Sequence, residues 1–377
     1  MKHHYWFKLL FLFVMALPLC ATAGLSENDI LLLKVDSEGM YRVTYEEIKS
    51  ETQIDLAGLS HSRFALHLNG KEIPLNSKGR LNGDKRTNKF GAGGYFEFYV
   101  NPELNLYSKD NALVLSYGRR KEKIRNVRSR GRAKDNASST YIREVVFEQN
   151  KVYDIWSPLN VDPWHYGLVS SSSSNDVVKT QDTFDLPNLV GTTAEIDAEL
   201  LGISELEIEG NDHHAIIVVN DTEVADQQFD GGTVHTVYAT SAPVQETGNK
   251  FAVGIRSLED VPFDAIALNK FKVRYTTSAI AINDRIDGYF PNNQVVAISG
   301  FSTDDINVYQ IDSSGSVKLV TKTIATEPGG IKFKTDKLSK RYIAVSEQGY
   351  RSVKTIDLLP ILSDISSGTA EYLIIAH

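Results

Sequence analysis

The chain has 377 residues, 48 acidic against 40 basic, with a net charge of −8 and 42% hydrophobic content. Its length exceeds one ordinary core, so two or three domains are expected, and its apolar content excludes a disordered protein. Plentiful Thr, Val, Ile, Tyr and Phe, punctuated by Gly, Asn and Asp, favour a mainly β chain.

The N-terminus reads as a secretory signal over residues 1–23. Lys2 and Lys8 supply its positive end, Leu9 to Leu19 its apolar core, and Ala21-Thr22-Ala23 a small-x-small site that places cleavage between Ala23 and Gly24. A lipoprotein cut before Cys20 competes with this, but Leu19 is too large for the position before such a cysteine. A secreted or cell-envelope location follows, periplasmic or at the cell surface, with no membrane span after signal removal because no later segment holds eighteen consecutive apolar residues. Cys20 is the single cysteine and leaves with the signal, so the mature chain has no disulfide, no thiolate ligand and no cysteine nucleophile.

Residues 24–118 read as an N-terminal β-rich domain. Strands are expected at Ile30 to Val35 and Met40 to Tyr45, and a short helix over Thr44 to Thr52, where Thr44 and Glu47 have capping-box spacing. Phe64 to Leu68, Asn69-Gly70 and Lys71 to Leu75 form the clearest hairpin, because Asn-Gly supplies the two positive φ angles of a tight primed turn. Tyr95 to Tyr99 and Ala112 to Leu115 are further strands. Gly91-Ala92-Gly93-Gly94 lacks the Lys-Ser/Thr ending of a phosphate loop and reads as a plain loop.

Residues 119–140 are a basic linker. Nine of the sixteen residues from Arg119 to Lys134 are Lys or Arg. A solvated, mobile linker is the first reading, because like charges repel and form no core. Proteolytic processing around Arg128, Arg130, Arg132 and Lys134 is the second. A nucleic-acid patch is the third and weakest, since no aromatics are interleaved for stacking; no nucleic-acid partner is expected.

Residues 141–277 read as a jelly-roll-like β-sandwich. Its strands are Tyr141 to Phe147, Ala194 to Leu200, His214 to Asn220, Asp221 to Val224, Phe251 to Ile255 and Leu268 to Tyr275, with Ser170 to Ser174 as a flexible loop. Residues 278–347 form a small β module, 348–369 a connector, and 370–377 an unbroken apolar strand, Tyr372 to Ala376, behind the breakers Ser366-Ser367-Gly368-Thr369. A strand of that kind is built to be buried on both faces of a parallel sheet. The expectation is that it opens a further α/β domain.

The order of motifs resembles the N-terminal region of secreted gingipain-type cysteine peptidases, including the sortase-like members of type IX secretion systems. The matching stretches are Gly39 to Tyr45, Leu68 to Pro74, Phe96 to Tyr99, His214 to Asn220, Asn269 to Tyr275, Ile298 to Phe301 with Val308-Tyr309, Arg341 to Val345, and Glu371 to His377. The resemblance implies a pro-region and accessory domains ahead of a caspase-like domain, whose Cys–His pair would cleave peptide bonds. It implies the chain's own downstream catalytic domain as partner, along with cell-envelope or secretion components. No catalytic residue carries over, because that pair lies beyond the first strand, and His377 is not matched to it. This chain alone is expected to be inactive.

No cofactor or metal is expected. Asp212-His213-His214 and His235 include adjacent histidines that point to opposite faces of a strand, so a histidine bonded to backbone is expected instead. No Gly-x-Ser-x-Gly occurs, and no carboxylate pair stands out. Asn136-Ala137-Ser138 and Asn220-Asp221-Thr222 match the glycosylation acceptor pattern. The rival function is a stand-alone secreted β-sandwich that binds glycan or protein, with Trp156, Trp164 and Tyr166 as platform aromatics. Against it, both tryptophans are expected in the core.

Overall fold

In a computed structural model, the described residues are 23–24, 30–79, 87–102, 108, 110–118, 122–155, 157–158, 161–172, 175–338 and 340–359. The signal segment before Ala23, Trp156 and the strand expected at 370–377 lie outside them. The chain is mainly β. It forms three units, the second and third of which share one sheet.

The first unit packs a five-stranded sheet on a three-stranded one. The larger sheet runs in the order Thr355–Leu359, Ile30–Val35, Asn111–Tyr117, Phe64–Leu68 and Lys71–Ile73. The smaller holds Gly39–Thr44, Tyr95–Val100 and Asn76–Lys78. Leu31, Leu33, Val43, Phe64, Phe96 and Phe98 fill the space between, joined by Ile356 from the far end of the chain. The hairpin turn forms as expected, with Asn69 at φ 49° and Gly70 at φ 78°. The helix Tyr45–Thr52 carries the capping box: the Glu47 N–H donates to Thr44 Oγ1, and the Thr44 N–H donates back to the Glu47 carboxylate at 2.7 Å. The segment expected as a connector contributes a strand, Thr355–Leu359, whose pairing with Ile30–Lys34 extends this first sheet.

The second unit is a jelly roll. One sheet sets Gly167–Ser172 beside Phe263–Ser278, then Thr193–Gly202, then Val234–Pro243; the facing sheet runs Val177–Phe184, Asn249–Ile255, His213–Val219 and Thr222–Phe229. Consecutive strands alternate between the sheets except at the hairpin His213–Val219 and Thr222–Phe229, which lies within one sheet, as two nested Greek keys require. Phe271 anchors the core, stacked on Phe251 at 3.9 Å and on Phe147 at 4.7 Å. The serine run expected as a flexible loop is largely strand: Gly167 to Ser172 pair with Leu268 to Phe263. Alternation explains the miss, because Val169 and Ser171 face inward while Ser170 and Ser172 face solvent.

The third unit packs Arg285–Tyr289, Arg341–Val345, Asn307–Ile311 and Val317–Thr321 against the small sheet Val295–Ile298, Ile331–Lys334 and Ile324–Ala325. One residue pair, Ile142 with Tyr289, continues its sheet into the jelly roll through the strand Thr140–Glu148. The basic stretch is no free linker over its described part. Arg125–Arg128 forms a parallel edge strand on Val317–Thr321, and Ser129 and Ser138 bond onward to Thr321, Lys334 and Val295. Like charges forbid burying these side chains, but edge pairing uses only the backbone and leaves Arg125 and Arg128 in solvent.

Candidate functional site

The first and third units meet on an apolar seam of Met40, Tyr99 and Ile124 against Tyr309, Ile311, Val317 and Ile343. At its centre Glu97 is fully buried. It accepts from Arg42 Nε at 3.1 Å and Nη2 at 2.6 Å, from Asn76 at 2.5 Å and from the Tyr309 hydroxyl at 2.9 Å. Arg42 lies between the rings of Tyr95 and Tyr350, 4.2 and 4.0 Å from their centroids. Burial opposes the Arg42 cation, yet Glu97 outweighs burial and holds it above the usual guanidinium range. Burial, with Glu97 beside it, raises the Tyr309 hydroxyl well above an ordinary phenol, so it stays a donor.

Beside this seam opens a cleft of about 1090 Å³. Its floor is the strand Thr140–Glu148 with Tyr289; its walls are residues 36–41 of the first unit and the segment 348–354. Asp287 accepts from Arg341 Nε at 2.6 Å and Nη2 at 3.0 Å, and from Arg285 at 2.8 Å. Arg341 also donates to Glu38 at 2.5 Å, and Tyr99 donates to the same carboxylate. Burial pushes the Asp287 carboxyl up, but the two guanidinium groups overcome it and hold its pKa below the ordinary range. Arg351 is the exception in this network. Among the described residues its Nη1 reaches only the Ser37 hydroxyl, at 3.5 Å, and its buried Nε has no hydrogen-bond partner. Burial first, and the like charge of Arg285 second, lower its pKa.

The sequence-derived candidates lie elsewhere and do not converge. Arg128, Arg130, Arg132 and Lys134 are exposed along the stitched basic segment. Ala23–Gly24 pairs in parallel with Ile54–Asp55 through its backbone. Trp164 is 42% exposed and meets Tyr153, itself 57% exposed, edge to face at 5.0 Å, so the expectation of a core tryptophan fails there. Tyr166 is 1% exposed and sits in the jelly-roll core, its hydroxyl donating to Asp182 and its ring under Lys151. It belongs to no surface platform with Trp164.

The two adjacent histidines bond to carboxylates, and His213 to the Ser204 backbone as well. His213 Nδ1 is 2.7 Å from Asp264, and His214 Nε2 is 2.6 Å from Asp226. Among the described residues, no three His, Cys, Asp or Glu side chains are grouped to hold a metal ion. Also among the described residues, no helix is long and apolar enough to cross a membrane. The cleft residues Glu38, Asp287, Arg341 and Arg351 escaped sequence reasoning, since Glu38 and Arg341 are 303 positions apart and no local pattern links them. The one hint was that Gly39 and Arg341 open two of the matched stretches.

The fold defines a multi-unit, mainly β chain built around a jelly roll. Neither a family model nor any curated protein matches it. Among solved structures it is similar to dimeric latent PorU from Porphyromonas gingivalis, with TM-score 0.58 and 15% identity, over 89% of this chain and 33% of that one. The chain thus spans about a third of the length of that protein. The ANX2 ectodomain from Arabidopsis thaliana aligns over 67% of this chain and 80% of its own at 9% identity, but a TM-score of 0.22 carries no weight.

Proposed function

We propose that this chain is the N-terminal portion of a secreted, gingipain-like cysteine endopeptidase, serving as its pro-region and accessory domains. The observation that carries this reading is the match in fold to latent PorU across nearly all of this chain, and across only a third of that protein. In this reading the chemistry belongs to sequence outside the aligned portion. The match also accords with motifs that resemble the gingipain type along their whole order. Interlocked units suit such a role: the second and third share one sheet, and the first is tied to the third where Tyr309 donates to the buried Glu97, making a continuous body against which a catalytic domain can fold. The partners in this reading are that downstream domain and components of the cell envelope or secretion apparatus. The test is to read the coding DNA past His377. A continuing frame with alternating strands and helices, a histidine and a cysteine supports the reading; a stop codon followed by unrelated sequence removes it.

One observation favours a second reading, a stand-alone glycan- or protein-binding sandwich. Trp164 and Tyr153 form an exposed aromatic pair on the jelly roll, and exposed aromatics are rarely left without a use when they sit together. Glycan-array binding by the whole chain, abolished in Trp164→Ala with an unchanged melting curve, would favour it over the first.

A further inference from the structure

We propose that the corner of the cleft where Arg351 and Arg285 converge receives one oxyanion, the carboxylate of an acidic side chain on an extended peptide laid along the cleft floor. This inference stands apart from the peptidase reading and holds whether or not the chain continues into a catalytic domain.

The two cations are brought together by Gly39. A Cβ built there would lie 2.7 Å from Arg351 Nε and 2.9 and 3.0 Å from the Arg285 Nη atoms, so both guanidinium groups converge on one point that only a glycine leaves open. Gly39 also has φ +152°, which L side chains rarely adopt. Two like charges held that close repel, and among the described residues no carboxylate hydrogen-bonds to Arg351, although Asp287 and Asp36 lie near enough to act on it. Asp287 is divided between Arg285 and Arg341, Glu38 between Arg341 and Tyr99, and Asp36 lies 3.5 Å from Lys354. Three guanidinium groups therefore share two carboxylates, and the surplus charge is that of Arg351. An unmatched, partly buried cation costs stability unless a counter-ion visits it.

The form of the surplus fixes the class of ligand. Five basic and five acidic residues line the cleft, so it is not a basic groove for a polyanion. Glu144 is answered from outside the lining by Arg274 at 2.8 Å and Lys272 at 3.6 Å. At the corner itself Arg351 has no hydrogen-bonded carboxylate among the described residues, and its guanidinium fork suits a planar or tetrahedral oxyanion. The floor supplies Val145, Val146 and Tyr289, and the cavity of about 1090 Å³ is far larger than an inorganic ion fills. An extended segment with one carboxylate matches both the apolar floor and the charged corner.

The test uses the whole chain and a fluorescein-labelled pentapeptide with blocked termini and one central glutamate. Its partner probe carries glutamine instead, and inorganic phosphate is titrated as competitor. The glutamate peptide is expected to bind at least tenfold more tightly than the glutamine peptide, and its affinity to fall at least tenfold in Arg351→Gln and in Gly39→Ala. Arg351→Lys, which keeps the charge, should retain binding to within tenfold. Phosphate that displaces the peptide supports a general oxyanion corner. Phosphate binding with no binding of the glutamate peptide overturns the peptide assignment. Equal affinity for both peptides, or unchanged affinity in Arg351→Gln, overturns the site itself. Melting temperature supplies the second readout. Arg351→Gln should melt no lower than the native chain, because it removes an unmatched charge, and added phosphate should raise the melting temperature of the native chain alone. A marked fall in Arg351→Gln would make Arg351 a structural residue and end the proposal.

Discussion

Glu97→Gln is the sharpest probe of how the first and third units hold together. The carboxylate is fully buried and takes four hydrogen bonds, two from Arg42 and one each from Asn76 and Tyr309. Neutralising it leaves the Arg42 cation between two tyrosine rings with no counter-charge. Removing one partner of a buried ion pair costs about 3–5 kcal/mol. Tyr309→Phe deletes only one bond to the same carboxylate and should cost about 1.5–3 kcal/mol. The contrast to include is Arg42→Met with Glu97→Leu. Losing both charges together should bring stability back to within about 2 kcal/mol of the native chain, since an apolar replacement of a buried pair is often neutral. Urea denaturation followed by tyrosine fluorescence and far-UV circular dichroism measures all three. If Glu97→Gln unfolds at the native midpoint, or the double variant is worse than either single loss, the buried carboxylate does not stabilise the seam.

Acid should loosen the cleft. The folded pKa of Asp287 lies below its ordinary value of 3.8, so its contribution is complete above that value and lost as pH falls through the folded pKa. Asp55 behaves likewise, drawn down to about 2 by Lys49 and Tyr45. Carboxyl titration by NMR should place both midpoints below 3.8, and a normal titration of Asp287 would contradict the Arg341 and Arg285 contacts. Limited trypsin digestion should spare the bonds after Arg125 and Arg128, which are locked in the parallel edge pair with Lys318 and Thr321; early fragments ending at either residue, identified by mass spectrometry, would show that the edge strand opens readily. Gly288→Ala would place a Cβ 2.4 Å from the Ile142 carbonyl and 2.6 Å from the Tyr141 ring, at the sole pair joining jelly roll and third unit within that sheet. Overpacking of that kind costs about 1–3 kcal/mol, read as a lower urea midpoint, and a native midpoint would mean the junction yields without strain.

Local patterns were legible where one short stretch carries the whole cause. Asn69-Gly70 specified its turn, Thr44 and Glu47 their cap, and the alternation in Thr193–Gly202 its half-solvated strand. The jelly-roll guess survives for the same reason, since its strands are separately readable and their number and spacing restrict the possible topologies. What escaped was long-range. Thr355–Leu359 looks like connector because half its residues face water at a sheet edge, and nothing near it announces that Ile30–Val35 is its partner. The basic stretch misled because charge density was read as a statement about the backbone, when it constrains only where the side chains end up. Tyr166 and Trp164 show the limit of residue type as a guide: two aromatics two positions apart occupy core and surface, the opposite of what their sizes suggest. The cleft is a meeting of segments from both ends of the chain, so no window of sequence contains it.

The pairing of Ile30–Lys34 with Thr355–Leu359 sets a clock on how the protein is made. Until the ribosome has passed residue 359, the opening strand has an empty flank, and a growing chain at roughly 5–20 residues per second leaves it so for many seconds. During that wait the bare edge is open to pairing with another copy or with a holding chaperone. An early-made strand is thus completed only once its distant partner has been made, and a nick anywhere between the two would leave those strands fastened to one another rather than set the earlier one free.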